Sequence, residues 1–291
     1  MTDVFVVLRQ RLPSLSKAEQ KIGELVLEHP AVVVESTITR LAERAETSPA
    51  SVARFCRAVG FAGYKEFRMA ITAAIGREEA ARELFRVDDA EITATDSALD
   101  VVTKVAYEES RAIEETARGL DLDALDLVVG AIRSAPRIDV YGAGASGLTA
   151  QDLQLKLHRL GISCFCWADA HLALTSFALA EPTGVAIAIS HSGQTLESHQ
   201  MLALARERGV TTVAITNFPD SPLADVADHL LVTSARESRY RTGAMSSRLA
   251  QMAVVDFVVV RLLQGRMDHV GGLLRRTYDA VQTHRLDGQR Q

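Results

Sequence analysis

Two short segments of this 291-residue chain carry the residue types that hold an anion. Residues 142–147 read GAGASG and follow the apolar positions Ile138, Val140 and Tyr141. Residues 190–195 read SHSGQT and follow the run VAIAI at 185–189. Glycine lets backbone N–H groups come close to a negative ligand, and a helix starting just beyond adds unpaired N–H groups and the positive end of its dipole. Gly144, Ser146, Ser190, Ser192, Gln194 and Thr195 therefore read as one ligand-binding set. A pyrophosphate needs close backbone approach and little more. Five hydroxyl or amide side chains better suit a single phosphate and the hydroxyls of a sugar.

Each loop alone has rivals. GAGASG satisfies the dinucleotide fingerprint G-x-G-x-x-G, with Asp169 following about 20 residues later, so an NAD-binding protein is one alternative. The loop also resembles that of the P-loop NTPases, but Leu148 stands where that motif requires lysine, which excludes ATP hydrolysis by that route.

The elements that must position these loops follow from the pattern around them. Residues 121–265 alternate short apolar strands, at 137–141, 162–167, 185–190, 211–216 and 229–233, with helices at 147–160, 170–179, 195–208 and 222–227. That alternation predicts an α/β fold, a doubly wound five-stranded parallel sheet with helices on both faces. In the flavodoxin-like order 2-1-3-4-5 the direction of winding reverses between strands 1 and 3, where ligands bind beyond the carboxyl ends of the strands. Those are the strands followed by GAGASG and SHSGQT. The apolar segment 246–264 reads as a closing helix, and 266–291 as a tail that is helical to about 283 and then polar and frayed.

The front of the chain reads differently. Residues 1–77 form short helices with tight turns, an all-α domain, and 78–120 a charged, alanine-rich pair of connecting helices with apolar spacing at Leu99, Val102, Val105 and Ala106. Within 36–60, Ile38, Leu41, Ala42 and Ala45 make one short amphipathic helix. After the turn Glu46-Thr47, Ser48 is a helix cap and Pro49 suits the first helical position; Gly60 ends the second helix. Two such helices make a helix-turn-helix, whose second member enters the DNA major groove by its first residues. Ser48, Ala50, Ser51 and Arg54 lie there, and Tyr64 and Lys65 read as a phosphate-contacting turn.

Charge agrees with that division. Residues 1–77 carry eleven Lys and Arg against eight Asp and Glu, whereas the whole chain has a net charge of −5. A mildly basic front on an acidic body suits a nucleic-acid partner. Cys56, Cys164 and Cys166 supply neither a disulfide framework nor a zinc set, and read as reduced core residues of a cytoplasmic protein with no metal and no cofactor. No apolar run reaches the ~18–20 residues of a membrane span.

Together these motifs resemble a known family. GAGASG and SHSGQT resemble the two signature loops of the sugar isomerase (SIS) domain. Ser221-Pro222-Leu223-Ala224 with Ala227-Asp228 resembles its next recurring segment, and Ser247-Arg248 its closing helix. LAERAETSPASVARFCRAVGFAGYKEFR resembles the helix-turn-helix of RpiR/MurR-type regulators. The resemblance implies a transcription regulator of sugar or amino-sugar genes. It implies a homodimer or homotetramer on a double-stranded operator, with a phosphorylated sugar as effector. By position it puts Ser146, Ser190, Ser192 and Thr195 on the phosphate, Gln194 at a variable place of the same loop, and Glu237 facing the sugar. His191 and Arg239 would join Glu237 on the pocket rim. The alternative is an aldose–ketose isomerase, which needs a positioned acid and base. His191, Glu197 and Glu237 are the candidates, and no spacing marks a pair of them as catalytic.

Overall fold

The computed structural model describes residues 3–87, 91–237, 243–265 and 267–282. The chain packs as two units. One comprises Met1–Gly119, Phe218–Asp220 and Ser234–Ser247; the other comprises Leu120–Asn217, Ser221–Thr233 and Arg248–Gln291.

The described part of the first unit is helical up to Gly119. Helix α1 (Val4–Arg11) and a 3-10 turn (Leu12–Ser14) precede α2 (Lys17–Glu28), α3 (Ala31–Glu35), α4 (Ile38–Arg44), α5 (Pro49–Ala58), α6 (Tyr64–Phe85) and α7 (Ala98–Gly119). Local chemistry sets the starts. Asp3, Thr37 and Ser48 each accept a first-turn N–H, and Ser16 with Glu19 makes a capping box. The core gathers Leu8, Ile22, Val26, Leu41, Val52, Phe55, Phe67 and Ile71. Phe55 meets Phe67 edge to face at 5.5 Å. Each such side chain contributes roughly 1.5–3 kcal/mol by leaving water. Nothing between Tyr64 and Phe85 breaks the helix, so α6 runs straight through position 77, where composition shifts. In α7 the buried residues are Tyr107, Ala112 and Thr116, whereas Leu99 and Val102 are 73% and 65% exposed.

The turn between α4 and α5 holds a strained residue. Thr47 N–H reaches Ala42 O and Glu46 N–H reaches Glu43 O, a closure that puts Glu46 at φ +52. A left-handed conformation costs a non-glycine residue about 1–2 kcal/mol. Glu46→Gly should therefore stabilise the protein by roughly 0.5–1 kcal/mol, after losing the exposed 3.1 Å pair with Lys21 and some chain entropy. A urea midpoint that moves down would sink this assignment of the turn.

The second unit is the expected parallel sheet. Strands β1 (Ile138–Gly142), β2 (Cys164–Cys166), β3 (Val185–Ile189), β4 (Thr211–Thr216) and β5 (His229–Val232) lie in the order β2-β1-β3-β4-β5. The helices are α8 (Leu122–Ser134), α9 (Ala145–Arg159), α10 (Ala170–Ala178), α11 (Leu196–Glu207), α12 (Pro222–Asp225), α13 (Ser246–Gln264) and α14 (Met267–Gln282). Strands β1 and β3 are buried throughout, as a sheet covered on both faces requires. One face packs Val128, Ile132, Leu153, Leu157, Val254 and Val258; the other packs Phe177, Met201, Leu202 and Leu223. Asp139 interrupts the apolar run of β1. Its carboxylate is answered by two Arg137 nitrogens at 2.8 and 2.9 Å and by the Ser176 hydroxyl at 2.6 Å. β2 is shorter than its apolar run because it pairs only with β1, at the sheet edge. Burial pushes the Cys56 thiol up to about 12 and raises Cys164 and Cys166 too, so none is a reactive thiolate near neutral pH. No described helix is long and apolar enough to cross a membrane.

Candidate functional site

Strands β1 and β3 are neighbours, with Gly142 in register with Ile189, so the two glycine-rich loops leave the sheet side by side. Each feeds a helix whose start has no side-chain cap. Gly144, at φ +57, is the cap residue of α9 and has no side chain to bond it; Thr195 is that of α11, and its side chain does not bond the helix. The positive ends of both helix dipoles are therefore open to an anion from outside the chain, although in α9 the Ser146 and Gly147 N–H groups already bond the carbonyls of Ala143 and Gly144. Glycine is also required for packing here. A Cβ on Gly142 would lie 2.5 Å from the Ser146 carbonyl oxygen, and one on Gly147 would lie 2.8 Å from that of Gly142.

Within the second loop the hydroxyls pre-order the backbone. Ser190, buried, accepts the Gly193 N–H at 3.2 Å and lies 2.9 Å from the Thr195 hydroxyl. Ser192 accepts the Gln194 N–H at 3.2 Å. Thr216 and the Asn217 N–H both donate to the His191 carbonyl, and the Leu223 N–H donates to that of Gly193. The loop is thus pinned by the ends of β4 and α12. Gly144, Ser146, Ser192 and Thr195 keep partial or full exposure, and the Gln194 side chain is exposed.

Two residues of this neighbourhood, Gln251 and Thr149, escaped the sequence reading, and a third, Ser221, entered it only through a resemblance. Gln251 of α13, fully buried, donates to the Ser146 hydroxyl oxygen at 3.1 Å and accepts from Thr149 at 3.4 Å. Ser221 sits directly behind Gly193. The available signal for Thr149 and Gln251 was a polar residue on an otherwise apolar helix face.

The candidate acids and bases are placed as follows. Glu237 belongs to the first unit and caps α13. It accepts the N–H groups of Met245 and Ser247, at 3.1 and 3.0 Å, and the Ser247 hydroxyl. Glu197 is exposed in the first turn of α11, where the dipole favours an acid. His191 is half-buried in its loop. Arg239 lies outside the described residues.

The helix-turn-helix is α4 and α5. Ser48 accepts the Ser51 N–H at 3.1 Å, the two hydroxyls lie 3.0 Å apart, and Arg54 donates to the Ser51 hydroxyl oxygen at 3.0 Å. Ser48, Ala50, Arg54 and Lys65 are exposed, whereas Ser51 is buried. Tyr64 is half-buried, and its hydroxyl faces the carbonyls of Val33 and Ser36 at 3.1 and 2.8 Å. It therefore braces α6 against the α3 end in the free protein. A separate cavity of about 330 Å³ in the first unit is lined by Arg77, Glu78, Arg111 and Glu115. Its charges are mutually satisfied: Arg77 pairs with Asp3, and Arg111 with Glu78 and Glu115.

Comparison with known proteins gives the same two parts. Residues 2–78 match the family model described as the helix-turn-helix domain of the rpiR family, and residues 131–261 match that of the SIS domain. An HTH-type transcriptional regulator from Caldanaerobacter subterraneus subsp. tengcongensis is 36% identical, over 99% of this chain and 100% of its own. Another from Haemophilus influenzae is 30% identical over 94% of each chain. Among solved structures, the Vibrio vulnificus NanR protein complexed with ManNAc-6P is similar at a TM-score of 0.62 and 27% identity, covering 98% of this chain and all of that one. The sugar isomerase domain of the RpiR transcription factor from Sphaerobacter thermophilus covers 62% of this chain and 98% of its own, with a TM-score of 0.57 and 26% identity. A helix-turn-helix followed in the same chain by a SIS domain defines a class of transcriptional regulator. This chain belongs to the rpiR family of HTH-type transcriptional regulators.

Proposed function

We propose that this regulator controls sugar or amino-sugar genes, and that a phosphorylated sugar held between the two loops sets its affinity for operator DNA. One observation carries the effector half of this reading: two neighbouring helix starts, α9 and α11, lack side-chain caps and are ringed by Ser146, Ser190, Ser192 and Thr195. Gly144 lends close backbone approach, and Gln194 contributes to the sugar side. The likeness to NanR, solved with ManNAc-6P, supports a phosphorylated amino sugar. The operator half rests on α5, with Ser48, Ala50, Ser51, Arg54, Tyr64 and Lys65 as its contact set. The protein works in the cytoplasm as a homodimer or homotetramer on a two-fold site, because paired helix-turn-helix units read half-sites a helical turn apart.

It binds the sugar phosphate without converting it. Enzymatic isomerisation needs a free acid and base beside the carbonyl. Among the candidates, Glu237 is occupied by three donors at the start of α13, and Glu197 stands in solvent. Incubation with hexose and amino-hexose phosphates should leave aldose and ketose unexchanged; turnover at ordinary enzymatic rates would replace the regulator with the isomerase.

A thermal-shift screen over phosphorylated sugars tests the effector site directly, since a ligand that binds only the folded state raises the melting temperature. The matching sugar phosphate should raise it, and NAD should not. Ser192→Ala should weaken that ligand about tenfold, or ~1.4 kcal/mol, while leaving operator affinity in its absence unchanged. An identical dose–response in the variant would take Ser192 out of the pocket.

A further inference from the structure

We infer that Gln251 is a positioning residue of the effector site, which aims the Ser146 hydroxyl at the bound phosphate. The inference rests on reading the two loops as a phosphate site. Gln251 lies on a face of α13 that otherwise buries Ala250, Val254, Val255 and Val258, and is itself 1% exposed. A primary amide in such a place is costly unless its donors and acceptor are used. In the structure its Oε1 lies 3.4 Å from the fully buried Thr149 hydroxyl, which donates to it, and its Nε2 lies 3.1 Å from Ser146 Oγ.

The direction of that bond has a consequence. An amide nitrogen only donates, so the Ser146 oxygen takes a hydrogen and its own O–H must find an acceptor elsewhere. Ser146 stands in the uncapped first turn of α9 and is partly exposed. A phosphate oxygen held by that turn is the acceptor in reach. The bonds then run one way, Thr149 to Gln251 to Ser146 to anion, and each polarises the next. Without the Gln251 amide, the Ser146 hydroxyl is at liberty to turn back and donate to its own helix, as serines commonly do. Gln251 acts through Ser146 and needs no contact with ligand.

The test is a double-mutant cycle on the full chain, with inorganic phosphate and N-acetylmannosamine 6-phosphate as calorimetric probes. Gln251→Met keeps the length and removes the polar atoms; Gln251→Glu keeps the shape and removes the donor, so one of the two remains informative if the other fails to fold. Each should weaken the sugar phosphate five- to tenfold, and Gln251→Glu more than Gln251→Met, because it adds a negative charge. Ser146→Ala alone should cost a similar factor. In the Ser146→Ala background, Gln251→Met should cost nothing further. A purely structural glutamine would lose the same factor in both backgrounds, and that result overturns the inference while leaving the phosphate site standing. If the parent protein binds neither probe, the phosphate reading of the loops falls, and this inference with it.

Discussion

Replacing Gly193 by alanine will cost about 2–5 kcal/mol of stability and abolish effector binding. Two independent penalties add. Gly193 sits at φ +64, where an L-residue loses about 1–2 kcal/mol. Its Cβ would also stand 2.1 Å from Ser221 Oγ, 2.4 Å from Ser221 Cβ and 3.0 Å from Thr216 Oγ1. Ser221 is buried at the start of α12, followed by Pro222, so it has little freedom to retreat. Overpacking of this kind costs about 1–3 kcal/mol. If the loop moves instead, it loses the bonds from Gly193 N–H to Ser190 and from Leu223 N–H to Gly193, which hold the hydroxyls in place. Urea unfolding and calorimetry with N-acetylmannosamine 6-phosphate measure the two effects. The pair Gly193→Ala with Ser221→Gly removes the two closest atoms and should recover the packing part but not the backbone part. A single variant as stable as its parent would mean that the loop does not have this conformation.

The sheet was legible because strands buried on both faces leave continuous apolar runs in the sequence. VAIAI and TTVAIT could hardly be anything else between turn-forming residues, and the strand order follows the reading made from them. Element bounds are less legible than element types, and a physical cause is visible. Position 77 marks a change of composition inside one helix, because composition does not end a helix; a breaker does, and α6 has none until Arg86 turns left-handed at φ +55. Helix α8 lies outside the strand–helix alternation read from the sequence, although its cap is plain. Asp121 accepts the N–H groups of Asp123 and Ala124, and Leu125, Val128, Val129 and Ile132 repeat at helical spacing. The loops themselves were legible because their chemistry is local: glycines at special backbone angles beside hydroxyls. Gln251 was not, since it meets Ser146 from 105 positions away and only the packing of α13 brings them together. Tyr64 has a role that its Gly-Tyr-Lys turn does not announce: a tyrosine can serve a fold with its ring and its hydroxyl at once, and here two carbonyls lie within reach of that hydroxyl.

The same contrast between local and distant chemistry applies to the DNA side, where the strongest expected effect falls on Arg54. Ser48, Ser51 and Arg54 are spaced three apart and joined by hydrogen bonds along the first turns of α5. The row is satisfied in the free protein, yet Arg54 is exposed and spends one bond of its guanidinium on Ser51. An arginine at this position of a second helix has the fork to grip guanine O6 and N7, or to neutralise a phosphate. Arg54→Ala should cost at least ~1 and up to ~3 kcal/mol per half-site. For the proposed dimer on a two-fold operator that amount counts twice, which takes the complex out of reach of an ordinary gel-shift titration. Melting temperature should hardly change, because the side chain buries nothing in the core. The two kinds of contact separate on a duplex selected from a random-sequence pool by the parent protein. A base contact relaxes preference at one base pair of each half-site, whereas a phosphate contact weakens all sequences alike and lowers the salt slope by about 1 per half-site. Equal affinity of variant and parent on the selected duplex would remove Arg54 from the interface, and with it the assignment of α5 by its N-terminal face to the major groove.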